Sequence, residues 1–259
     1  MSQQFFKSVI IARYTFQELI RSKILWNVVV LALGLAALTL AAAEFTFGVP
    51  ARVALDLGLA FLALSGYGLS FFAGIPLIKS EEESRTIYLI ISRPVKRSVF
   101  LVGKIFGVIG FLALNFCLIA ASILVVINLV GGNLGFVEWA AIGLTFIEVV
   151  ILLLLVVVLS LVANRAITLI FGLVILAAGH AVSETMSIKF VQDIPWLKTA
   201  VKFYDWVLPG FHRFNLKDLV LYQTELPDGY LTKTLIYGLL YGAALLVLSC
   251  WLIERKDFE

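Results

Sequence analysis

The sequence is poor in charged residues and in the side chains that usually carry catalysis. Only 14% of its 259 residues are Asp, Glu, Lys or Arg, and the mean hydropathy is +1.03, far outside the range of soluble globular domains. Its two cysteines, Cys117 and Cys250, lie in long apolar runs, where cysteine behaves as a small hydrophobic residue. Their positions argue against a disulfide framework and a cysteine metal site. The two histidines, His180 and His212, lie on different parts of the chain, which argues against a metal hydrolase.

A nucleotide-binding motif is also missing from the sequence. A P-loop needs Gly-x-x-x-x-Gly-Lys-Ser/Thr, because its backbone amides cradle the phosphates and its hydroxyl holds Mg²⁺. The segment SVFLVGKIF, residues 98–106, contains Gly103 and Lys104 but lacks the earlier glycine and the following hydroxyl. The chain is therefore not expected to be an enzyme or to hold a cofactor itself, and any ATP must be hydrolysed by a partner.

Long apolar runs are what the sequence has in abundance. Runs of about 20 residues are long enough to cross a hydrocarbon core of roughly 30 Å as helices. We therefore predict an all-α integral membrane protein, a single transmembrane domain over residues 1–259. The net charge of +3 comes from residues spread over the loops, so it does not indicate a nucleic-acid partner. The six predicted transmembrane helices are residues 24–43, 54–78, 99–128, 138–163, 166–185 and 233–253.

Lysine and arginine determine the predicted orientation, because short cytoplasmic loops retain them. They are concentrated before the first apolar run, from Lys7 to Lys23, and between the second and third runs, from Lys79 to Lys104. Both segments are therefore predicted to be cytoplasmic, and six spans return the C-terminus to the same side. The long loop at 186–232 also carries basic residues, but long loops translocate largely regardless of charge.

This external loop is predicted to contain short helices. Two apolar-aromatic segments are separated at Pro209-Gly210, and Asn215 is suited to be the N-cap of the second. Aromatic residues are typical of the membrane interface, and the loop has six that fit this role: Trp196, Phe203, Tyr204, Trp206, Phe211 and Phe214.

Residues 1–23 have the pattern of an amphipathic helix. Apolar side chains recur at helical spacing from Phe5 through Val9 to Phe16, and polar residues such as Lys7 lie opposite them. Such a helix is expected to lie flat in the cytoplasmic interface. It either anchors the first span or acts as a mechanical element that contacts a cytoplasmic partner.

The loop between the second and third runs, residues 79–98, predicts a helix that breaks and resumes. Glu81 to Ser92 has the composition of a short helix with three glutamates near its N-terminus, where carboxylates interact favourably with the helix dipole. Pro94 forces Arg93 out of the helical region and can begin the next helix. Positive-inside bias explains the basic residues here, but it requires neither the three glutamates nor a fixed break. We call residues 79–98 the elbow.

The elbow resembles a segment of the permease subunit of ABC transporters of the type-2 exporter class, which includes permeases linked to copper-enzyme maturation and gliding motility. A second similarity is the segment VLPGFHRFNLKDLVLY at 207–222, and a third is the ending at 255–258. One departure is Arg85, which stands where the pattern usually has glycine. The residues that carry the elbow resemblance are Glu82 or Glu83, Thr86, Leu89, Ser92, Arg93, Pro94, Val95, Arg97, Gly103 and Lys104.

The resemblance implies that the elbow is a coupling helix, which docks on a cytoplasmic ABC ATPase dimer that binds ATP and Mg²⁺. It further implies pairing with a second permease copy or homologue, a location in the bacterial cytoplasmic (inner) membrane, and export or movement of a substrate that the sequence does not identify. The coupling residues would be Glu81, Glu82, Glu83, Arg85, Thr86, Arg93, Pro94 and Arg97, and those of the connecting helix Phe5, Phe6, Arg13, Phe16 and Arg21.

Glu148 and His180 are polar residues inside predicted spans. Ionisable groups in the membrane are costly and are candidates for function. At 1.5 Å per residue the two lie at similar depth, so we predict an intramembrane polar pair that either holds two helices together or lines a substrate path. Two other functions stay open: an ion-coupled secondary transporter, for which Glu148 is a candidate carboxylate, and a membrane docking scaffold without transport.

Overall fold

The computed structural model describes residues 2–22, 50–83, 96–132, 134–188, 193–217 and 226–256, with isolated positions between 30 and 41 and at 219. Within these ranges all regular structure is helical. The helices are α1 (Ser2–Arg21), α2 (Pro50–Gly74), α3 (Pro76–Glu83), α4 (Arg97–Leu129), α5 (Phe136–Val162), α6 (Arg165–Ser187), α7 (Pro195–Val207), a 3₁₀ turn η1 (Phe211–Phe214) and α8 (Tyr230–Arg255).

Five of the described helical stretches are long and apolar enough to span a membrane. This confirms an all-helical, membrane-embedded protein. The predicted span at 24–43 lies largely outside the described residues, so the layout of six spans stays a prediction. The five stretches are Ala51–Glu81, Arg97–Leu129, Phe136–Val162, Arg165–Val182 and Tyr230–Arg255.

Local sequence explains where several helices begin. Proline fixes a helical φ and needs no hydrogen-bond acceptor for its nitrogen, and accordingly α2, α3 and α7 each begin at one. The side chain of Asn164 accepts a hydrogen bond of 2.9 Å from the Ile167 amide and caps α6. Gly229 adopts a φ of 74° just before α8, a left-handed conformation that favours glycine.

The predicted start of the elbow helix at Glu81 is wrong. Glu81 to Glu83 instead form the last described turn of α3, which begins at Pro76. Ile75 is a single turn residue between α2 and α3, so the membrane helix resumes after one residue and carries the glutamates at its far end. Pro76 follows the one-residue turn at Ile75 and is the first residue of α3. Proline is well suited to this first helical position.

Helix α5 is the centre of the bundle. In its most apolar window 61% of residues are buried, against 28% for α6 and 22% for α8. It packs against α2 and α8 over much of their length. Because successive long helices run in opposite directions, the bundle has two ends. We call the end where α3 finishes and α4 begins the elbow end, and the end where α6 finishes and η1 follows the loop end.

Candidate functional site

The elbow end contains part of the predicted coupling segment. Residues 84–95 lie outside the described residues, so the calls on Arg85, Thr86, Arg93 and Pro94 have no structural counterpart here. The backbone of Glu82 and Glu83 is helical, but their side chains are outside the described set. The structure therefore describes the two shoulders of the elbow, which are Glu81 and Arg97.

Glu81 forms an ion pair with Lys104, about two turns into α4. The Lys104 Nζ lies 2.5 Å from Oε1 of Glu81 and also donates a 3.2 Å hydrogen bond to the Leu77 carbonyl. Its ammonium lies 5.2 Å from the centre of the Phe100 ring, within the range of a cation–π contact. Lys104 is only 9% exposed, and a buried ammonium needs such partners. The pair fastens α3 to α4 directly beneath the elbow.

Arg97 fastens the other shoulder. Its Nη1 donates a 2.7 Å hydrogen bond to the carbonyl of Lys256, the residue that follows α8. That carbonyl is one of the acceptors that a helix end leaves without an internal partner. The start of α4 is thereby attached to the end of α8. Sequence reasoning named Arg97 but had no signal for this backbone partner.

Helix α1 packs tightly along the first half of α4. A Cβ added to Gly103 would lie 2.8 Å from the Ser8 carbonyl oxygen, and one added to Gly107 would lie 2.7 Å from the Ala12 carbonyl oxygen. No real Cβ tolerates such contacts, so both glycines are needed for the two backbones to approach. Thr15, which also contacts Gly107, is buried. We call this contact the glycine seam.

Helix α1 has a second apolar side besides the one on the glycine seam. Val9, which belongs to the predicted apolar stripe, is 49% exposed, and Phe6 is 66% exposed. Phe16 does pack against the core, whereas Arg13 and Arg21 are exposed. The side chain of Phe5 lies outside the described set. The helix therefore has two apolar sides, one on α4 and one facing outward, because a helix packed against glycine buries its small residues.

At the loop end the segment after α7 folds inward. The side chains of Phe211 and Phe214 are both 0% exposed, so they pack inside the protein and do not face its surroundings. Phe211 packs over Gly179 of α6, and Phe214 packs over Gly238 of α8. Each ring enters the core where a glycine leaves room for it. Trp196 and Phe203, by contrast, are exposed as an interfacial position requires. Asn215 accepts a hydrogen bond of 3.0 Å from the Lys217 amide, but the segment that it was predicted to cap lies largely outside the described residues.

Tyrosine hydroxyls from α8 hold this segment in place. Tyr237 accepts a 3.0 Å hydrogen bond from the Gly210 amide, while Tyr230 and Tyr241 donate to the carbonyls of Arg213 and Val207. The remaining attachments involve charge: Arg213 lies 2.6 Å from Asp205 and stacks over the Tyr237 ring at 4.6 Å. We call residues 208–217 the plug, since they fill the loop end of the bundle.

His212, within the plug and outside the spans, is half-buried. Its Nδ1 lies 3.3 Å from the carbonyl of Gly179. Burial lowers the pKa of the His212 imidazole, although the Asp205 carboxylate and the Gly179 carbonyl oppose that shift. The ring is therefore better accommodated in its neutral form.

Beneath the plug, Glu148 and His180 are in contact, which confirms the predicted pair. His180 Nε2 lies 2.9 Å from Oε1 of Glu148. The pair has a third member that sequence reasoning missed: Tyr67 of α2 donates a 2.5 Å hydrogen bond to the same carboxylate oxygen, and its Oη lies 3.2 Å from His180 Nε2. The available signal was a tyrosine between two glycines inside a span, Gly66-Tyr67-Gly68. We call these three residues the polar cluster.

A cavity of about 110 Å³ lies beside the polar cluster. Its rim includes Lys217, whose Nζ lies 2.8 Å from Oδ1 of Asp56, and the two side chains are 39% and 35% exposed. Among the described residues, no group of three or more His, Cys, Asp or Glu is placed to hold a metal ion. The cavity has room for a few waters or a small ion, not for a lipid. Its lining residues are Leu59, Ala60, Ala63, Tyr67, Ala141, Thr145, Glu148, His180, Asn215, Leu216 and Lys217.

Protein-family models and curated protein sequences give no match to this chain. The functional argument therefore depends on its own residues and geometry.

Proposed function

We propose that this chain is the membrane-spanning permease subunit of an ATP-driven ABC transporter, similar to the type-2 exporter class. In this proposal a separate cytoplasmic ATPase dimer binds ATP and Mg²⁺, and the elbow transmits its movement to the spans. A second permease copy or homologue completes the assembly in the bacterial cytoplasmic membrane. Six spans then place both termini on the cytoplasmic side.

The observation that carries the proposal is how the elbow is fastened. An ATPase that closes beneath the membrane can move the spans only through a stiff cytoplasmic element. Lys104 joins α3 to α4 on one shoulder, and Arg97 joins α4 to the end of α8 on the other. A push on residues 84–95 would therefore act on at least three helices together.

The glycine seam adds a fourth helix to this unit. Because Gly103 and Gly107 bring the backbones of α1 and α4 into contact, α1 would move with α4 as a connecting helix does. Among its expected contact residues, Arg13 and Arg21 are exposed and accessible to a partner. The elbow glutamates Glu81 to Glu83 lie at the very end of α3, next to the segment expected to dock.

The proposal is tested by purifying the chain in mild detergent and measuring the ATPase activity that accompanies it. We expect a nucleotide-binding subunit to co-purify and to be lost, or uncoupled from transport, when Glu82 and Glu83 are both changed to Lys. Asp228→Lys is the matched control, because Asp228 is exposed in the turn before α8, at the opposite end of the bundle. A folded chain that purifies alone, without ATPase activity, contradicts the proposal.

An ion-coupled secondary transporter is the second candidate, and the buried carboxylate of Glu148 favours it. The two candidates differ in their energy source. Transport that stops when ATP is withheld from the reconstituted complex supports the ABC proposal. Transport that continues without ATP and collapses with the ion gradient supports the second candidate. Binding of a cytoplasmic protein with no movement of any substrate indicates a docking scaffold.

A further inference from the structure

The protons of the polar cluster can be assigned from its geometry. Tyr67 Oη and His180 Nε2 both approach Oε1 of Glu148, at 2.5 and 2.9 Å. An ionised carboxylate only accepts hydrogen bonds, so Tyr67 donates to it. An unprotonated Nε2 would place its lone pair opposite those of the carboxylate oxygen, and the two would repel. His180 therefore carries a hydrogen on Nε2, whether the ring is neutral or cationic.

With Nε2 occupied, His180 gains or loses its second proton at Nδ1. In the described part of the chain, the hydrogen-bond contacts of His180 are made by Nε2 alone. The His180 side chain is 32% exposed, while that of Glu148 is only 3% exposed. The imidazole is thus the accessible end of the cluster, and the carboxylate is its buried counter-charge.

The cavity extends from the polar cluster to the plug. His180 and Glu148 both line it, and so does Lys217, whose ion pair with Asp56 is partly exposed. The polar side chains in its lining, which include Tyr67, Glu148 and His180, suit the cavity to water. Proton uptake is then a simple transfer: a hydronium ion in the cavity becomes water as an N–H bond forms at Nδ1.

We propose that the polar cluster and its cavity form a binding site for one proton, taken up from the loop end onto His180 and held by Glu148. Proton binding converts a buried carboxylate that has only neutral hydrogen-bond donors into a neutral ion pair, which removes an uncompensated charge from the membrane interior. The site is independent of the ABC proposal, since its occupancy does not require a nucleotide-binding partner.

The bound proton also affects the plug. The Phe211 ring lies stacked on His180, with centroids 6.0 Å apart and an interplanar angle of 27°. A cationic imidazole interacts more favourably with an aromatic face than a neutral one does. Proton binding therefore holds the plug more tightly over the cavity, and proton release loosens it.

The charged groups around the cluster are largely occupied by one another. Lys217 is paired with Asp56, and Arg213 with Asp205. Glu148 is therefore the charged group in direct contact with the imidazole. The titratable and charged groups that surround His180 are Tyr67 on α2, Glu148 on α5, Glu184 on its own helix, Asp205 on α7, and His212, Arg213 and Lys217 in the plug.

The test uses the full chain in lipid nanodiscs, labelled with ¹⁵N-histidine. With only two histidines in the sequence, His212→Gln leaves the signals of His180 alone. Between about pH 5 and pH 9 we expect these signals to change from an imidazolium to a neutral ring protonated on Nε2. In the background of Glu148→Gln the pH dependence of these signals should differ from that of the wild type, because the variant lacks the charge in contact with the ring.

Two further variants keep the test decisive. Glu138→Gln changes a carboxylate on the same helix, outside the cluster, and should leave the transition of His180 unmoved. Tyr67→Phe removes a hydrogen-bond donor without removing the charge, so it should move the transition less than Glu148→Gln does. In the His212→Gln background, where His180 is the remaining histidine, hydrogen exchange of the plug amides should slow as the His180 ring becomes protonated.

Three results would overturn the proposal. If the His180 ring keeps one protonation state over the whole pH range, the polar cluster only holds its helices together and does not bind a proton. If the His180 signals change with pH in the same way in wild type and in Glu148→Gln, the carboxylate does not hold the bound proton. Plug amides whose exchange does not follow the His180 transition would refute the coupling to the plug.

Discussion

At the elbow end, Lys104 and Arg97 each join two helices through charged hydrogen bonds, and glycines bring α1 against α4. At the loop end, buried aromatic rings and tyrosine hydroxyls hold the plug over a cavity. Charged contacts together with close backbone packing allow few other arrangements of the helices at the elbow end. The difference is consistent with the two proposals above, in which the elbow end transmits movement and the plug responds to a bound proton.

The largest effect is expected from breaking the plug. Phe214→Ala removes a ring that is 0% exposed and seated against Gly238, and truncation of a buried Phe costs about 3 to 5 kcal/mol. Reversible unfolding in detergent measures the loss. Phe136→Ala is the control, because Phe136 is 73% exposed. Equal losses in the two variants would mean that the plug is not part of the stable core.

The next effect is at the elbow end. Lys104→Met leaves Glu81 and the Leu77 carbonyl without their donor, which we expect to cost about 2 to 3 kcal/mol, because lost hydrogen bonds to charged groups are costly. Adding Glu81→Gln should restore part of that loss, since it removes the carboxylate charge that Lys104 had neutralised. Unfolding measurements on the two single variants and the double variant give the coupling energy. Additive losses would show that the pair contributes no coupling.

A substitution in the glycine seam is expected to cost less and to affect the packing of α1 rather than the whole bundle. Gly107→Ala places a methyl group 2.7 Å from the Ala12 carbonyl oxygen, and overpacking of this kind costs about 1 to 2 kcal/mol. We expect α1 to become accessible to protease before the bundle unfolds. Gly68→Ala, in a helix position with open space around the added carbon, is the matched control. Protection of α1 in both variants would contradict the close packing.

The smallest effect is expected in the pH dependence of plug stability, through His212. Burial lowers the pKa of His212 below its ordinary value of 6.5, so the unfolded chain binds its proton more readily than the folded one. The stability that the neutral ring contributes is fully present above pH 6.5 and is lost as the pH falls below it. His212→Asn should remove this contribution, so the plug amides should exchange more slowly at low pH in the variant than in the wild type. An unchanged pH profile would show that another group causes the decline.

Prediction from the sequence was most reliable where a physical rule acts over a long stretch. Apolar length identified α4, α5, α6 and α8 within a few residues of their observed bounds, because the hydrocarbon core demands such runs. The Glu148–His180 contact was predictable from depth along two neighbouring helices. Tyr67 was not, since its contribution depends on the side of α2 that faces α5, and an apolar run carries no periodic signal for that.

The sequence by itself determined that this is an all-helical membrane protein with a charged elbow and an intramembrane polar pair, because composition and run length dictate these features. Only the tertiary structure decided that α1 lies on the glycine seam, that Lys104 and Arg97 fasten the shoulders of the elbow, and that Phe211 and Phe214 are buried. The reason is that each of these contacts joins residues distant in the chain. Their partners are a backbone carbonyl or a space left by glycine, and neither has a signature in the local sequence.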